Sequence, residues 1–227
     1  MKQTDIGIFL HRTSFSESSI VATFYTREKG IQKFIFQGAK KKNNVLFPLN
    51  ICELTFYKRP DSELSKLTQA EMFLPLNAIA FEPLKGIVAF FIADVLKQTL
   101  HTNEKEERQF NFLKNTIVEL DESNELTLFP LRFLVEYAEF LGISPIIPDD
   151  DPLYFNLNEG EFHSDYRPGE LCEEGIMVKH LCDLFKYNTI PNSYRKQCLE
   201  MMLNYYKMHI PRFDVSSSLE IIREVLM

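Results

Sequence analysis

Three stretches near the start of the chain alternate apolar and polar positions. Ile6, Ile8 and Leu10 recur at every second residue, as do Ile20, Ala22 and Phe24, and the segment Ile31 to Phe36 follows after a turn at Thr26 to Gly30. A period of two lets a strand bury one face and leave the other wet. Gly30 suits the turn because glycine accepts a positive φ without steric penalty. A fourth strand is predicted from Leu49 to Tyr57, ending at the turn signal Lys58, Arg59, Pro60, Asp61, and a fifth within Leu64 to Phe73. Five short strands in about 75 residues, with no long helical pattern among them, suit a Greek-key barrel of the OB type, and an SH3-like barrel has a similar strand count.

The period changes at Pro75. From Pro83 onward Leu84, Ile87, Val88, Phe91, Val95 and Leu96 fall at helical spacing, with Pro83 placed for a first turn. This helix is apolar nearly all round and is expected at the centre of a second domain. Further helices are predicted over Glu104 to Leu120, Leu126 to Leu141 with Gly142 as its stop, Glu173 to Tyr187, Asn192 to Met208 and Ser218 to Leu226. Asn192 or Ser193 is expected to cap the fifth, and Ser217 with Glu220 has capping-box spacing for the sixth. Between Ser144 and Pro168 prolines and three aspartates break the pattern, and Leu153 to His163 reads as a small hairpin around Asn158, Glu159 and Gly160. The expected class is therefore α+β: a barrel domain over 1–75 and an α-helical bundle domain over 76–227 with a hairpin insertion near 153–163.

Composition changes this picture in one respect. The whole chain carries a net charge of −7, which by itself argues against nucleic acid. Its distribution argues otherwise, because Met1 to Pro75 holds eleven Lys and Arg against seven Asp and Glu, net +4, while the remainder is net −11. A hydrophobic fraction of 45% is that of a globular chain. No apolar run approaches the roughly 20 residues that span a bilayer, and Met1 to Leu10 alternates where a secretory signal would be continuous, so a cytoplasmic protein without membrane contact is expected.

Phosphate binding needs several cations on one surface, since each neutralised phosphate releases counterions. The candidates are Arg12, Arg27, Lys29, Lys33, Lys40, Lys41, Lys42, Lys58 and Arg59, and charged turns are also commonly just solvated faces. Phe9, Phe34, Phe36, Phe56 and Tyr57 are candidate platforms for stacked bases. Alternation puts Phe34 and Phe36 on the face opposite Ile31 and Ile35, so one of the two pairs must be partly exposed or covered. Cys52, Cys172, Cys182 and Cys198 are too widely spaced for a CxxC pair and read as buried thiols. The five histidines are scattered without a metal-ligand spacing, and Asp149 to Asp151 read as a solvated loop. With no GxSxG, Walker-type or dinucleotide glycine pattern either, no catalytic residue, metal ligand or cofactor is expected, and the chain is not expected to be an enzyme.

The order of several segments resembles the RecO family of bacterial recombination mediators, in a form similar to that of Bacteroidota. The resemblance is carried by Gly7 to Leu10 with His11, Arg12, Ser16, Glu17 and Ser18, by Tyr25 to Gly30, and by Gly38, Ala39, Lys40 with the basic followers Lys41 and Lys42. It continues through Phe47, Pro48, Leu49 and the strand with Leu54, Phe56 and Tyr57, then Phe140 to Ile143, Tyr154 and Phe155, and Tyr205, Tyr206, His209, Ile210, Pro211 and Phe213. It implies an OB barrel on a helical domain that binds single- and double-stranded DNA and anneals complementary strands. It also implies RecR as partner, RecF in some systems, and loading of RecA onto DNA coated by single-strand binding protein. DNA-binding residues carried over by position are Arg12, Arg27, Lys29, Lys40, Lys41 and Lys42, with Lys58 and Arg59 added from charge. Many relatives carry a four-cysteine zinc module after the third helix. Here Ile143 to Gly175 stands in its place with only Cys172, so zinc is expected to be absent. The competing reading is a partner-docking module of a repair complex with little DNA binding of its own.

Overall fold

The structure, a computed structural model, describes residues 2–37, 45–58, 64–100, 105–187 and 189–226. Strands β1 (Lys2–Ser14), β2 (Ser19–Thr26), β3 (Gly30–Gln37), β4 (Ile51–Tyr57) and β5 (Leu64–Met72) close into a barrel of order β1-β2-β3-β5-β4, the strand order of an OB-type barrel. All neighbours are antiparallel except β3 and β5, which run parallel from Lys33↔Leu64 to Phe36↔Leu67. Helices α1 (Pro83–Thr99), α2 (Glu107–Glu122), α3 (Phe129–Phe140), α4 (Ile176–Tyr187), α5 (Arg195–His209) and α6 (Ser216–Leu226) follow, with a small sheet of β6 (Tyr154–Asn156), β7 (Glu161–His163) and β8 (Cys172–Glu174) between α3 and α4. The class is α+β. The chain folds as two compact units, Met1–Asn124 and Glu125–Met227.

In the first unit the barrel interior is filled by Phe9, Ile20, Ala22, Phe24, Phe34, Phe36, Leu54, Phe56 and Leu67. Phe34 and Phe36 point inward, which leaves Ile31 and Ile35 half-buried on the outside. Contrary to the alternating expectation, the middle of β1 (Gly7 to Leu10) and most of β2 are buried on both faces. Leu10 is the extra residue of a bulge between Phe9 and His11, so Ile8, Phe9 and Leu10 are all buried. Helix α1 packs on β1, and Tyr25 on the outer face of β2 meets α2, its hydroxyl donating to Gln109 Oε1 at 2.9 Å and its ring 5.9 Å from Phe110.

The run-in to α1 is fixed by one carboxylate near the end of α2. Asp121 accepts the backbone N–H groups of Asn77, Ala78 and Ile79, each at 2.8 Å, while the buried Lys85 donates to the Asp121 carbonyl at 2.7 Å. Burial raises the cost of the Asp121 charge, but the three N–H donors outweigh it and hold the carboxyl below its ordinary pKa. A depressed carboxylate pKa contributes stability above the unfolded value, near 3.8, that is lost as pH falls through the folded one. Asp121→Ala is expected to destabilise this unit by about 2 kcal/mol at pH 7. The difference from wild type should shrink below pH 4 in urea titrations, and a pH-independent gap would contradict this account.

The second unit departs from the sequence-based expectations at three helix starts. Glu173 and Glu174, expected in α4, belong to β8, and Gly175 at φ +97° turns the chain before the helix begins at Ile176. Asn192 to Tyr194 form a 3-10 turn, and neither Asn192 nor Ser193 caps α5, whose N-cap position is Tyr194 without a side-chain bond. The start of α6 is held by Asp214, which accepts from Ser216 N at 2.9 Å, in place of the Ser217 box. The hairpin forms as expected, β6 pairing β7 from Tyr154↔His163 to Asn156↔Glu161, with Gly160 at φ +64°. The core here is aromatic: Phe155 stacks on Phe162 at 4.2 Å, and the buried Tyr205 and Tyr206 donate to the carbonyls of Ile143 and Leu134, each at 2.7 Å.

Candidate nucleic-acid interface

Cross-strand partners share a face of a sheet, so the register locates the outer surface of the barrel. Lys2 on β1 pairs with Tyr57 on β4, Tyr57 pairs with Lys66 on β5, and Lys66 pairs with Ile35 on β3. These four side chains form one row across the outside. Tyr57 is 45% exposed, whereas Phe9, Phe34, Phe36 and Phe56 are buried and cannot stack on a base. Of the five aromatic candidates only Tyr57 presents a ring to solvent, and a lysine flanks it on either side.

Two of the cations expected from sequence reach this end of the barrel. Lys58 is exposed directly after Tyr57. Lys29, in the turn after β2, donates to Gln3 Oε1 at 2.8 Å, and its Nζ lies 5.8 Å from the Phe56 ring centroid. Arg27 is nearby but partly neutralised, its Nε 3.2 Å from Glu28 Oε1. Glu28 also accepts from Lys105 Nζ at 3.1 Å, and this hydrogen bond is the main cause that holds its carboxyl below the ordinary carboxylate range. Arg12 is exposed but lies ten residues from Lys2 along β1, about 30 Å of strand at ~3.3 Å per residue. It belongs to the end of β1 that pairs with the start of β2, at Arg12↔Ala22. Lys40, Lys41 and Lys42 follow β3 in the sequence. Those three lysines and Arg59 lie outside the described residues.

Lys2 and Lys66 are not conspicuous in the sequence because each is a lone cation in a strand, and only the register shows that they bracket Tyr57. A second pair, Lys33 on β3 and Lys97 on α1, faces His11. Burial is the main cause that lowers the His11 pKa, and these two charges add to it.

The thiols divide. Cys52 and Cys198 are buried, and burial pushes both up to about 12; Cys182 is buried as well. Cys172 is only half-buried, and it lies beside His163 and Glu170 in the second unit. The sequence shows no metal-ligand spacing for this histidine, and the fold brings it beside Glu170 and Cys172. Asp151 instead pairs with Lys179.

The described residues thus form a closed five-stranded barrel whose outer row sets Lys2 and Lys66 on either side of the exposed Tyr57, followed by six α-helices. Models of the N-terminal and C-terminal regions of recombination protein O match residues 1–75 and 81–183. The chain belongs to this RecO family of DNA repair and recombination proteins. It is 28% identical to the DNA repair protein RecO of Phocaeicola vulgatus, with 99% of each chain covered, and 27% identical to that of Flavobacterium psychrophilum, with 96% of this chain and 97% of the relative covered. The DNA repair protein RecO of Porphyromonas gingivalis is 22% identical over 95% of this chain and 96% of its own. Among the described residues no helix is long and apolar enough to cross a membrane.

Proposed function

We propose that the chain binds single- and double-stranded DNA on its barrel and anneals complementary strands, acting with RecR to help load RecA onto DNA covered by single-strand binding protein. The observation that carries this reading is the row Lys2, Tyr57, Lys66, with Lys29 and Lys58 at the same end. Lysines there neutralise phosphates, while the exposed Tyr57 ring offers a stacking surface that tolerates any base. Arg12 on β1 and the lysines Lys40, Lys41 and Lys42 add cations for the phosphates of a second strand. Annealing on such a surface needs no catalytic group. Cations that contact both strands lower their mutual repulsion, and base pairing supplies the driving force.

The test is binding of a labelled single-stranded oligonucleotide at several salt concentrations. Wild type should show a steep dependence of log Kd on log salt. Reversing Lys40, Lys41 and Lys42 to Glu, or Lys2 and Lys66 to Glu, should flatten the slope by about one for each phosphate left without its lysine, uniformly across sequences. Tyr57→Ala should weaken single-strand binding by about 1–3 kcal/mol and leave duplex binding nearly unchanged. Weak, salt-independent affinity in wild type beside tight RecR binding would replace this reading with that of a partner-docking module.

A further inference from the structure

The small sheet of the second unit, of order β7-β6-β8, turns Phe155 and Phe162 into the core. Register places Tyr154, Asn156, His163 and Cys172 together on its other face. The connection between β7 and β8 folds back over that face. Tyr166 comes within 6.0 Å of the Tyr154 ring, Arg167 grips Glu161 through bonds of 2.9 and 3.1 Å, and Glu170 Oε2 accepts from Asn156 Nδ2 at 2.7 Å.

This folding back assembles three donor atoms of different chemistry. His163 Nε2 lies 3.7 Å from Cys172 Sγ and 3.6 Å from Glu170 Oε2, and the same sulfur and oxygen are 3.8 Å apart. His163 is 6% exposed, and its Nδ1 is 2.8 Å from the carbonyl of Asp165. A carbonyl can only accept, so Nδ1 carries the proton, and in the neutral ring Nε2 turns a bare lone pair toward the sulfur and the carboxylate.

We propose that His163, Glu170 and Cys172 form a zinc site. Tetrahedral zinc with ordinary bond lengths sets sulfur about 3.6 Å from its nitrogen and oxygen neighbours, and nitrogen about 3.3 Å from oxygen. The three observed separations each need to contract by only a few tenths of an ångström. A thiolate with an imidazole and a carboxylate suits zinc and is a poor set for magnesium or calcium, which take oxygen. Two of the ligands already have the outer partners that orient a metal ligand, the Asp165 carbonyl on His163 and Asn156 on Glu170. Water takes the fourth position, on the half-exposed side of Cys172. The ion clasps the 164–171 connection onto the sheet with one cysteine. The absence of paired cysteines, which argues against zinc in the sequence, therefore does not decide the matter.

The test uses the full chain stripped with a chelator and then given Co²⁺. One equivalent should produce a thiolate-to-cobalt charge-transfer band that equimolar Zn²⁺ bleaches. Cys172→Ser should abolish the band, His163→Gln should weaken Zn²⁺ binding at least about tenfold, and Asn156→Leu should weaken it by about 10–100-fold. As a measurement on unaltered protein, Zn²⁺ should slow alkylation of Cys172 read by mass spectrometry. No charge-transfer band in wild type, a band that survives Cys172→Ser, or alkylation of Cys172 at the same rate with and without Zn²⁺ would each overturn the site.

Discussion

Phe34→Ala is expected to destabilise the barrel by about 3–5 kcal/mol, enough to leave it marginal at 25 °C. Phe34 is fully buried at the middle of a run of aromatic edges, its ring 5.8 Å from Phe24 and 5.0 Å from Phe56 in T-shaped contact, with Phe9 a further 5.3 Å beyond Phe24. Truncation removes both edge interactions along with the transfer energy, and a closed barrel cannot collapse inward without breaking a ladder. The cavity should therefore persist. Phe15→Ala, at a side chain 59% exposed, serves as the control and should fall within about 0.5 kcal/mol of wild type. Urea denaturation followed by circular dichroism measures both, and a small shift for Phe34→Ala would mean that the interior repacks.

Gly7→Val should fail for the opposite reason. Gly7 pairs with Thr26 on β2 and Cys52 on β4, at a point where the interior closes over the β1 backbone. A Cβ there would lie 2.9 Å from Leu54 Cδ1 and 3.2 Å from Phe24 Cβ. The leucine methyl can move, but the phenylalanine Cβ is fixed to its strand. Overpacking of this kind costs typically 1–3 kcal/mol, and valine, with two further methyls, is expected at about 3 kcal/mol. Gly7→Ala should cost less, and Leu54→Val in the same chain should recover part of that cost, because the nearest clash is with the removed methyl. Failure of the second substitution to help would locate the strain at Phe24.

The strands and helices were legible because their periods are clean: Phe34 with Phe36 against Ile31 with Ile35 already separates the two faces of β3, and burial decides between them. Residues 173 and 174 were not. Cys172, Glu173 and Glu174 have no strand-like alternation, and their pairing with β6 comes from the chain on either side of them. The buried outer faces of mid-β1 and of β2 could not be read either, since they depend on α1 and α2 packing there. The candidate interface was legible as a set of cations and aromatics but not as an arrangement. Lys2 meets Tyr57 across a pairing between residues 55 apart, and a lone lysine carries no sign of its strand partner. The same holds for His163 and Cys172, whose spacing matches no ligand motif because a folded-back connection brings them together.

Because β1 pairs with both β2 and β4, and β3 with both β2 and β5, every barrel strand has its two neighbours. Among the described residues the β3–β5 seam is the short one, four residue pairs from Lys33↔Leu64 to Phe36↔Leu67, and elsewhere most barrel backbone is already paired and cannot accept an added strand. A protein partner that docks on the paired part of the barrel must therefore recognise side chains or loops, and its binding should be erased by point substitutions in a way that backbone-to-backbone pairing would survive.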